Sequence, residues 1–342
     1  MAESRRLRPA SLALTLAVVA AGLAGCGTAD ASPAQQVTTL RYQGSVGAVT
    51  LPELAADLGY LGIVQLKWIG NTISGPQDIQ AATTGDTDFG GAFNGAVIKL
   101  EAQHAPVKAV IGYYGVDEQA YGGYYVRDGS PIASARDLIG RKVGMNTLGA
   151  HYEAVLRTYL SRNGLSPDEI KQVTEVVVPP VNAEQSLRAG QLDVAVLSGP
   201  LRDKALARGG IHPLFTDYGL LGKFTAGSYV FRTDFIKKNP ETVRAFVAGV
   251  AKAIEWARTQ PRATVIAEFD KIIQARRRNE DDSQLQYWRS TGVAGTGGVI
   301  ADREFQTWLD WLRADGELKQ TPKLADLFTN EFNPYRPGGG TR

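Results

Sequence analysis

Val37-Thr38-Thr39-Leu40-Arg41-Tyr42 runs into Gln43-Gly44-Ser45-Val46-Gly47, then into the apolar-periodic Leu51–Leu58 and, past Gly59-Tyr60-Leu61-Gly62, into Val64–Ile69. The first and last segments are rich in β-branched and aromatic residues and predict strands, whereas the middle one has helical spacing. The unit then continues with a helix over Gln77–Thr84, a short strand over Thr87–Gly90, a helix over Ala96–Gln103 and a strand over Val107–Tyr113. Strands alternating with helices in this way build βαβ units around a largely parallel sheet.

The pattern restarts with a capped turn at Ile132–Gly140 and a strand at Lys142–Met145. Helices at His151–Asn163, Pro167–Lys171 and Ala183–Ala189 and strands at Val173–Val178 and Asp193–Leu197 complete this second α/β unit. From Ser228 onward the chain is mostly helical, over Pro240–Arg258, Arg262–Arg276, Asp302–Asp315 and Pro322–Phe328. Crossings at Gly123–Arg127 and Gly227–Phe231 divide the chain into lobe I, residues 37–126 and 228–336, and lobe II, residues 127–227.

The N-terminal stretch has a different character. Basic Ser4–Arg8, an apolar run and small residues before Cys26 predict a secretory signal over residues 1–25. Pro9, Ser11 and Thr15 interrupt the run, which is too short for a spanning helix of about 20 apolar residues. Leu23-Ala24-Gly25-Cys26 resembles the lipobox of bacterial lipoproteins, which implies lipidation of Cys26. Residues 26–36 then read as a flexible tether and residues 337–342 as a frayed tail. Cys26 is the only cysteine, so no disulfide forms within the chain.

Without the signal's Arg5, Arg6, Arg8 and Glu3, the 37 basic and 35 acidic residues fall to 34 of each, which gives nucleic acid no electrostatic hold. Arg276-Arg277-Arg278, followed by Glu280-Asp281-Asp282, reads as a solvated helix face.

Gly85-Asp86-Thr87-Asp88-Phe89-Gly90, Leu138-Ile139-Gly140-Arg141-Lys142-Val143 and Leu187–Val196 together resemble landmarks of the solute-binding proteins of ABC importers for aliphatic sulfonates, taurine and nitrate. Phe235–Glu241 and Leu324–Phe328 fit the same family, and the resemblance spans about residues 38–333. It implies an α/β fold of the periplasmic-binding-protein type II. Each of its two lobes is a mixed, mostly parallel sheet flanked by helices, and two hinge strands join them. Together with the lipobox it implies a monomeric lipoprotein anchored to the outer face of the cell membrane or to a periplasmic face, without catalysis, cofactor or metal. Such a protein captures a small organic, anionic solute between its lobes, either sulfonate-, taurine- or nitrate-like or a larger organic acid, and delivers it to an ABC permease and its ATPase. Two alternatives share the fold: binding of a thiamine-pyrimidine precursor, and presentation of a ligand to a sensor.

Ligands of open α/β sheets sit beyond the carboxyl ends of strands, against helix N-termini. Five turns qualify here: Ser45 and Val46; Ser74 and Gly75; Asn94; Thr147, Gly149, Ala150 and His151; and Ser198 and Gly199. Glycine and serine also cap helices where no ligand binds, and His151 reads equally as a first-turn helix residue. One helix terminus gives an anion about 0.3–1 kcal/mol, whereas micromolar binding needs about 8 kcal/mol, so hydrogen bonds and apolar burial must contribute.

The sulfonate binders' serine-rich turn is Leu148-Gly149-Ala150 here, and their hydroxyl-bearing third turn is Gly91-Ala92-Phe93. That departure favours a larger or less charged organic ligand. Trp68, Tyr113, Tyr114 and Tyr121 lie near strand ends, as core or as ligand-facing rings. No Ser/His/Asp order, metal-ligand spacing or phosphate loop stands out, and the thiamine-pyrimidine synthases' cysteine-rich motif needs more than one cysteine.

Overall fold

Residues 36–338 of the chain are described in this computed structural model; the signal, Cys26, nearly all of the tether and the end of the tail lie outside them. The described strands are β1 (Thr39–Gly44), β2 (Gln65–Asn71), β3 (Phe89–Phe93), β4 (Val107–Val116), β5 (Gly122–Arg127), β6 (Lys142–Met145), β7 (Thr174–Val177), β8 (Val194–Ser198), β9 (Ile211–Thr216) and β10 (Phe224–Arg232). They form a β1-β2 pair, a β3-β10-β4 sheet and a β7-β6-β8-β5-β9 sheet.

The βαβ units make the parallel pairs β1/β2, β6/β7 and β6/β8. The antiparallel pairs all involve β5 or β10, the strands that enter a sheet from the other body. The parallel share is therefore smaller than the alternation suggests, because a crossing strand takes its direction from the crossing. The crossings themselves move. Gly122–Arg127 lies wholly in the second sheet and Phe224–Arg232 in the first, so the chain passes between the sheets just before each strand, over residues 117–121 and 222–223.

Local chemistry fixes the elements that border the cleft. Thr50 caps the helix Leu51–Asp57, and Glu53 reaches back to the Thr50 amide at 2.9 Å, a reciprocal capping box. Ser74 caps the helix Gly75–Thr84 through the Gln77 amide at 3.4 Å, and Gly85, with φ 85°, ends it in the left-handed region. In the helix Pro240–Thr259, the buried Val243, Phe246, Val247, Val250 and Ile254 recur at helical spacing and face the first sheet and the helix Leu51–Asp57.

All of β3 is buried. Phe89 sits among Tyr42, Phe231 and Phe246 with ring centroids 6.0, 5.7 and 4.6 Å away, and Phe93 meets Trp308 edge-on at 4.6 Å. Each such ring contributes about 1.5–3 kcal/mol by leaving water.

Of the basic run only Arg277 is solvated. Arg276 and Arg278 have side chains only 8% and 13% exposed. Arg276 donates to both Glu53 oxygens at 3.2 and 3.1 Å, to Glu280, and to the carbonyls of Ser45 and Ala48. Arg278 donates to Glu53 and to the Tyr42 hydroxyl, each at 3.2 Å, and lies 4.2 Å over the Trp68 ring. The partner that draws these arginines inward is a buried glutamate more than 200 residues away in the chain. The network ties the Ser45 loop to the C-terminal helices.

Among the described residues no helix is long and apolar enough to cross a membrane, and no group of three or more His, Cys, Asp or Glu is arranged to hold a metal.

Candidate functional site: a two-chambered cleft

Two adjacent cavities lie where the sheets face each other, sharing Gly75, Tyr113 and Asn146 as walls. The first, of ≈ 290 Å³, is bounded by Phe93, Tyr113 and Tyr114 on one side and by Thr147, Ala150, His151 and Ser198 on the other. The second, of ≈ 190 Å³, is bounded by Gln43, Ser45, Ser74, Asp78 and Tyr229.

Of the residues expected at the site, Ser45, Ser74, Gly75, Thr147, Ala150, His151 and Ser198 line these chambers. Val46 does not; its side chain is exposed. Gly149 and Gly199 are not among the lining residues, and the Gly149 amide already donates to the Glu153 carboxylate. Asn94 is a structural joint rather than a cleft residue. Fully buried, it donates to the carbonyls of Thr225 and Glu304 at 3.4 and 3.1 Å and accepts from the Ser228 hydroxyl at 2.8 Å, clamping β10 to two helices. A polar residue at the start of a helix looks the same in sequence whether it faces a ligand or a neighbouring strand.

Gly75 and Gly149 cannot serve as bulky-substitution probes of the cleft alone. A Cβ on Gly75 would stand 2.9 Å from the Ala92 Cα, so any side chain there pushes the helix off β3. Gly149 has φ 71°, where a side chain is strained whatever the ligand does.

The first chamber combines an aromatic wall with helix starts. The helices His151–Arg162, Pro180–Arg188 and Gly199–Ala207 all begin at its lining, and none has a side-chain cap. Pro180 and Pro200 carry no N–H and the Asn182 amide donates to the Pro179 carbonyl at 2.9 Å; the remaining first-turn amides, among them those of His151, Tyr152 and Leu201, have no acceptor within the helix. The opposing rings of Tyr113 and Tyr114 lie 4.9 Å apart, and Tyr113 stacks on Tyr229 at 4.2 Å. Burial pushes the phenols of Tyr113, Tyr114, Tyr152 and Tyr229 well up, so they remain neutral hydroxyls.

His151 is buried among Phe93, Tyr114 and Tyr152, and its Nε2 lies 3.1 Å from the Asp217 carboxylate. Asp217 also accepts the Gly122 and Tyr218 amides at 2.9 and 2.7 Å, which fixes the imidazole in place. The His151 Nδ1 is buried without a partner among the described residues.

Asp78, Asn146, Tyr152, Asp217 and Tyr229 were not legible as site residues. Asp78 sits in the first turn of a helix where an acidic residue is ordinary, and only the packing of β3 buries it. Trp68 and Tyr121 stay outside the chambers, stacked under Arg278 and Arg202. Among the described residues no lysine or arginine lines either chamber.

Facing α/β bodies around a cleft define a two-lobe fold of the periplasmic-binding-protein type II, and solved structures share it. The alkanesulfonate-binding protein SsuA of Xanthomonas axonopodis pv. citri, bound to MOPS, superposes with a TM-score of 0.68 at 19% identity over 86% of this chain and 99% of that one. The periplasmic nitrate-binding protein NrtA of Synechocystis PCC 6803 gives 0.65 at 16% identity over 86% and 87%. The desulfurization enzyme DSZB gives 0.58 at 16% identity over 86% and 97%. The NMT1/THI5-like family matches residues 70–264, more than half of the sequence, and the chain belongs to that family. A Brucella abortus (strain 2308) protein named as a binding protein is 24% identical over 273 residues, covering 75% of this chain and 80% of the relative.

Proposed function

We propose that the chain is the solute-binding protein of an ABC importer and captures a small organic solute in the two-chambered cleft. The observation that carries this reading is the first chamber, in which three uncapped helix starts face a tyrosine wall. An acidic group of the solute takes hydrogen bonds from the helix amides and the cleft hydroxyls, and its apolar body lies on the rings. This architecture does not suit a bare inorganic anion, which would leave the aromatic wall unused. The relatives named above as binding proteins support the same class of function.

Lobe I, residues 37–126 and 228–336, and lobe II, residues 127–227, close over the solute, with their exact limits shifted toward the crossings at residues 117–121 and 222–223. A solute that touches both bodies favours the closed arrangement through contacts the open one lacks. Thermal unfolding of the purified chain against organic carboxylates, sulfonates, pyrimidines and nitrate tests the reading. An organic acid at 100 times its dissociation constant adds about 2.7 kcal/mol of stability. A panel in which nitrate alone stabilises the protein, or in which nothing does, contradicts it.

The anchoring proposal rests on Leu23-Ala24-Gly25-Cys26. A diacylglyceryl group on Cys26 supplies the two acyl chains that stable anchoring requires. Cys26→Ser is expected to move the protein from the membrane fraction to the soluble one; unchanged membrane retention would count against lipidation.

A further inference from the structure

We infer that the solute has a second pole, an N–H donor of the ammonium or amidinium class, received in the smaller chamber by the Asp78 carboxylate with the help of Gln43. The inference rests on the proposed binding role of the cleft and specifies what its second chamber reads.

Asp78 is 8% exposed and lines that chamber. One of its oxygens accepts the Gly91 amide at 2.7 Å, and the other, Oδ1, is buried with no partner among the described residues. Gln43 lines the same chamber and keeps its Oε1 buried and unpartnered. Tyr113 and Tyr229, stacked beside them, complete a pocket with two idle acceptors and no cationic side chain.

The two arginines that brace the Tyr42–Ser45 wall of this chamber do not answer this need. Arg276 and Arg278 are engaged by Glu53, whose carboxylate accepts from both. A buried acceptor without a donor loses its hydration and gains nothing in return, and a buried carboxylate loses most. The burial that isolates Asp78 also raises its pKa to about 7, with the Gly91 amide as the one group that offsets it. A ligand nitrogen carrying hydrogens, and positive charge in particular, supplies what both oxygens lack. The helix starts of the first chamber take the opposite pole, so the cleft reads an amphoteric molecule end to end.

The test uses 4-(aminomethyl)benzoate and its two halves, 4-methylbenzoate and 4-methylbenzylamine, titrated calorimetrically at pH 8 into the wild-type protein and into Asp78→Asn and Gln43→Leu. One charge-assisted hydrogen bond is expected to give the amphoteric probe about a tenfold or greater advantage over 4-methylbenzoate. In Asp78→Asn, whose amide oxygen can still accept from Gly91, that advantage collapses while 4-methylbenzoate binds as before; Gln43→Leu reduces it. Equal binding of the two acids to the wild type, or an advantage that survives Asp78→Asn, overturns the second pole and leaves the binding role standing. If no probe binds, both fall.

Discussion

Arg276→Ala is expected to lower the unfolding free energy by about 3–5 kcal/mol, the effect of leaving a buried carboxylate without its partner. The substitution strands Glu280, whose side chain is only 3% exposed, leaves the buried Glu53 with Arg278 as its one remaining cationic partner, and frees the Ser45 and Ala48 carbonyls. Arg276→Met is expected to lose about as much, because what disappears is charge and five hydrogen-bond donors rather than volume. Urea denaturation measures the difference. A solvated arginine would change stability by no more than about 0.5 kcal/mol, so a result that small would show that the side chain is not buried against Glu53.

The second large effect has the opposite sign. Asp78→Asn is expected to stabilise the solute-free protein at pH 8 and to change it little at pH 4. Burial raises the folded-state pKa of Asp78 from 3.8 to about 7. A carboxyl whose pKa is raised on folding favours the folded state when protonated. Its contribution is intact below the unfolded pKa near 4 and is lost as pH rises through about 7. The cost of holding it ionised above that pH is on the order of 3–4 kcal/mol, and asparagine avoids it while preserving the Gly91 hydrogen bond. Thermal melts of both proteins across pH 4–8 give the curve, and a gap that does not widen with pH would contradict the burial of this carboxyl. A residue that weakens the free protein at a ligand cleft fits a group kept for binding rather than for folding.

The strand and helix alternation from Val37 to Tyr113 was legible because period and punctuation are local properties, and the bounds of β1, β2 and β4 fall within a few residues of the pattern. β9 was not, since Ile211-His212-Pro213-Leu214 carries a proline that argues against a strand; it is tolerated because β9 is the edge of its sheet. The turns at Ser74 and Thr147 were visible as helix starts after strands, which is why they and the cleft coincide. Asn94, Arg276 and Asp78 were misread or missed for one shared reason. Each is a polar residue whose role depends on a partner far along the chain or on a strand that buries it: Glu304 for Asn94, Glu53 for Arg276, and the Gly90-Gly91 stretch of β3 for Asp78. The glycines there are decisive, because a Cβ on Gly90 would collide with the Asp78 backbone and one on Gly91 would stand 2.8 Å from the Tyr113 ring, so neither the helix nor the ring could pack against β3 as it does.

Native mass spectrometry of the protein purified without denaturation, after incubation with an extract of small metabolites, tests the cleft most directly when run beside Thr147→Trp, which places an indole in the first chamber. The account predicts a single small molecule bound one to one to the wild-type chain, released on unfolding and missing from the equally stable Thr147→Trp variant. An adduct carried equally by both proteins, or a wild-type chain that takes up nothing from any extract, would contradict it.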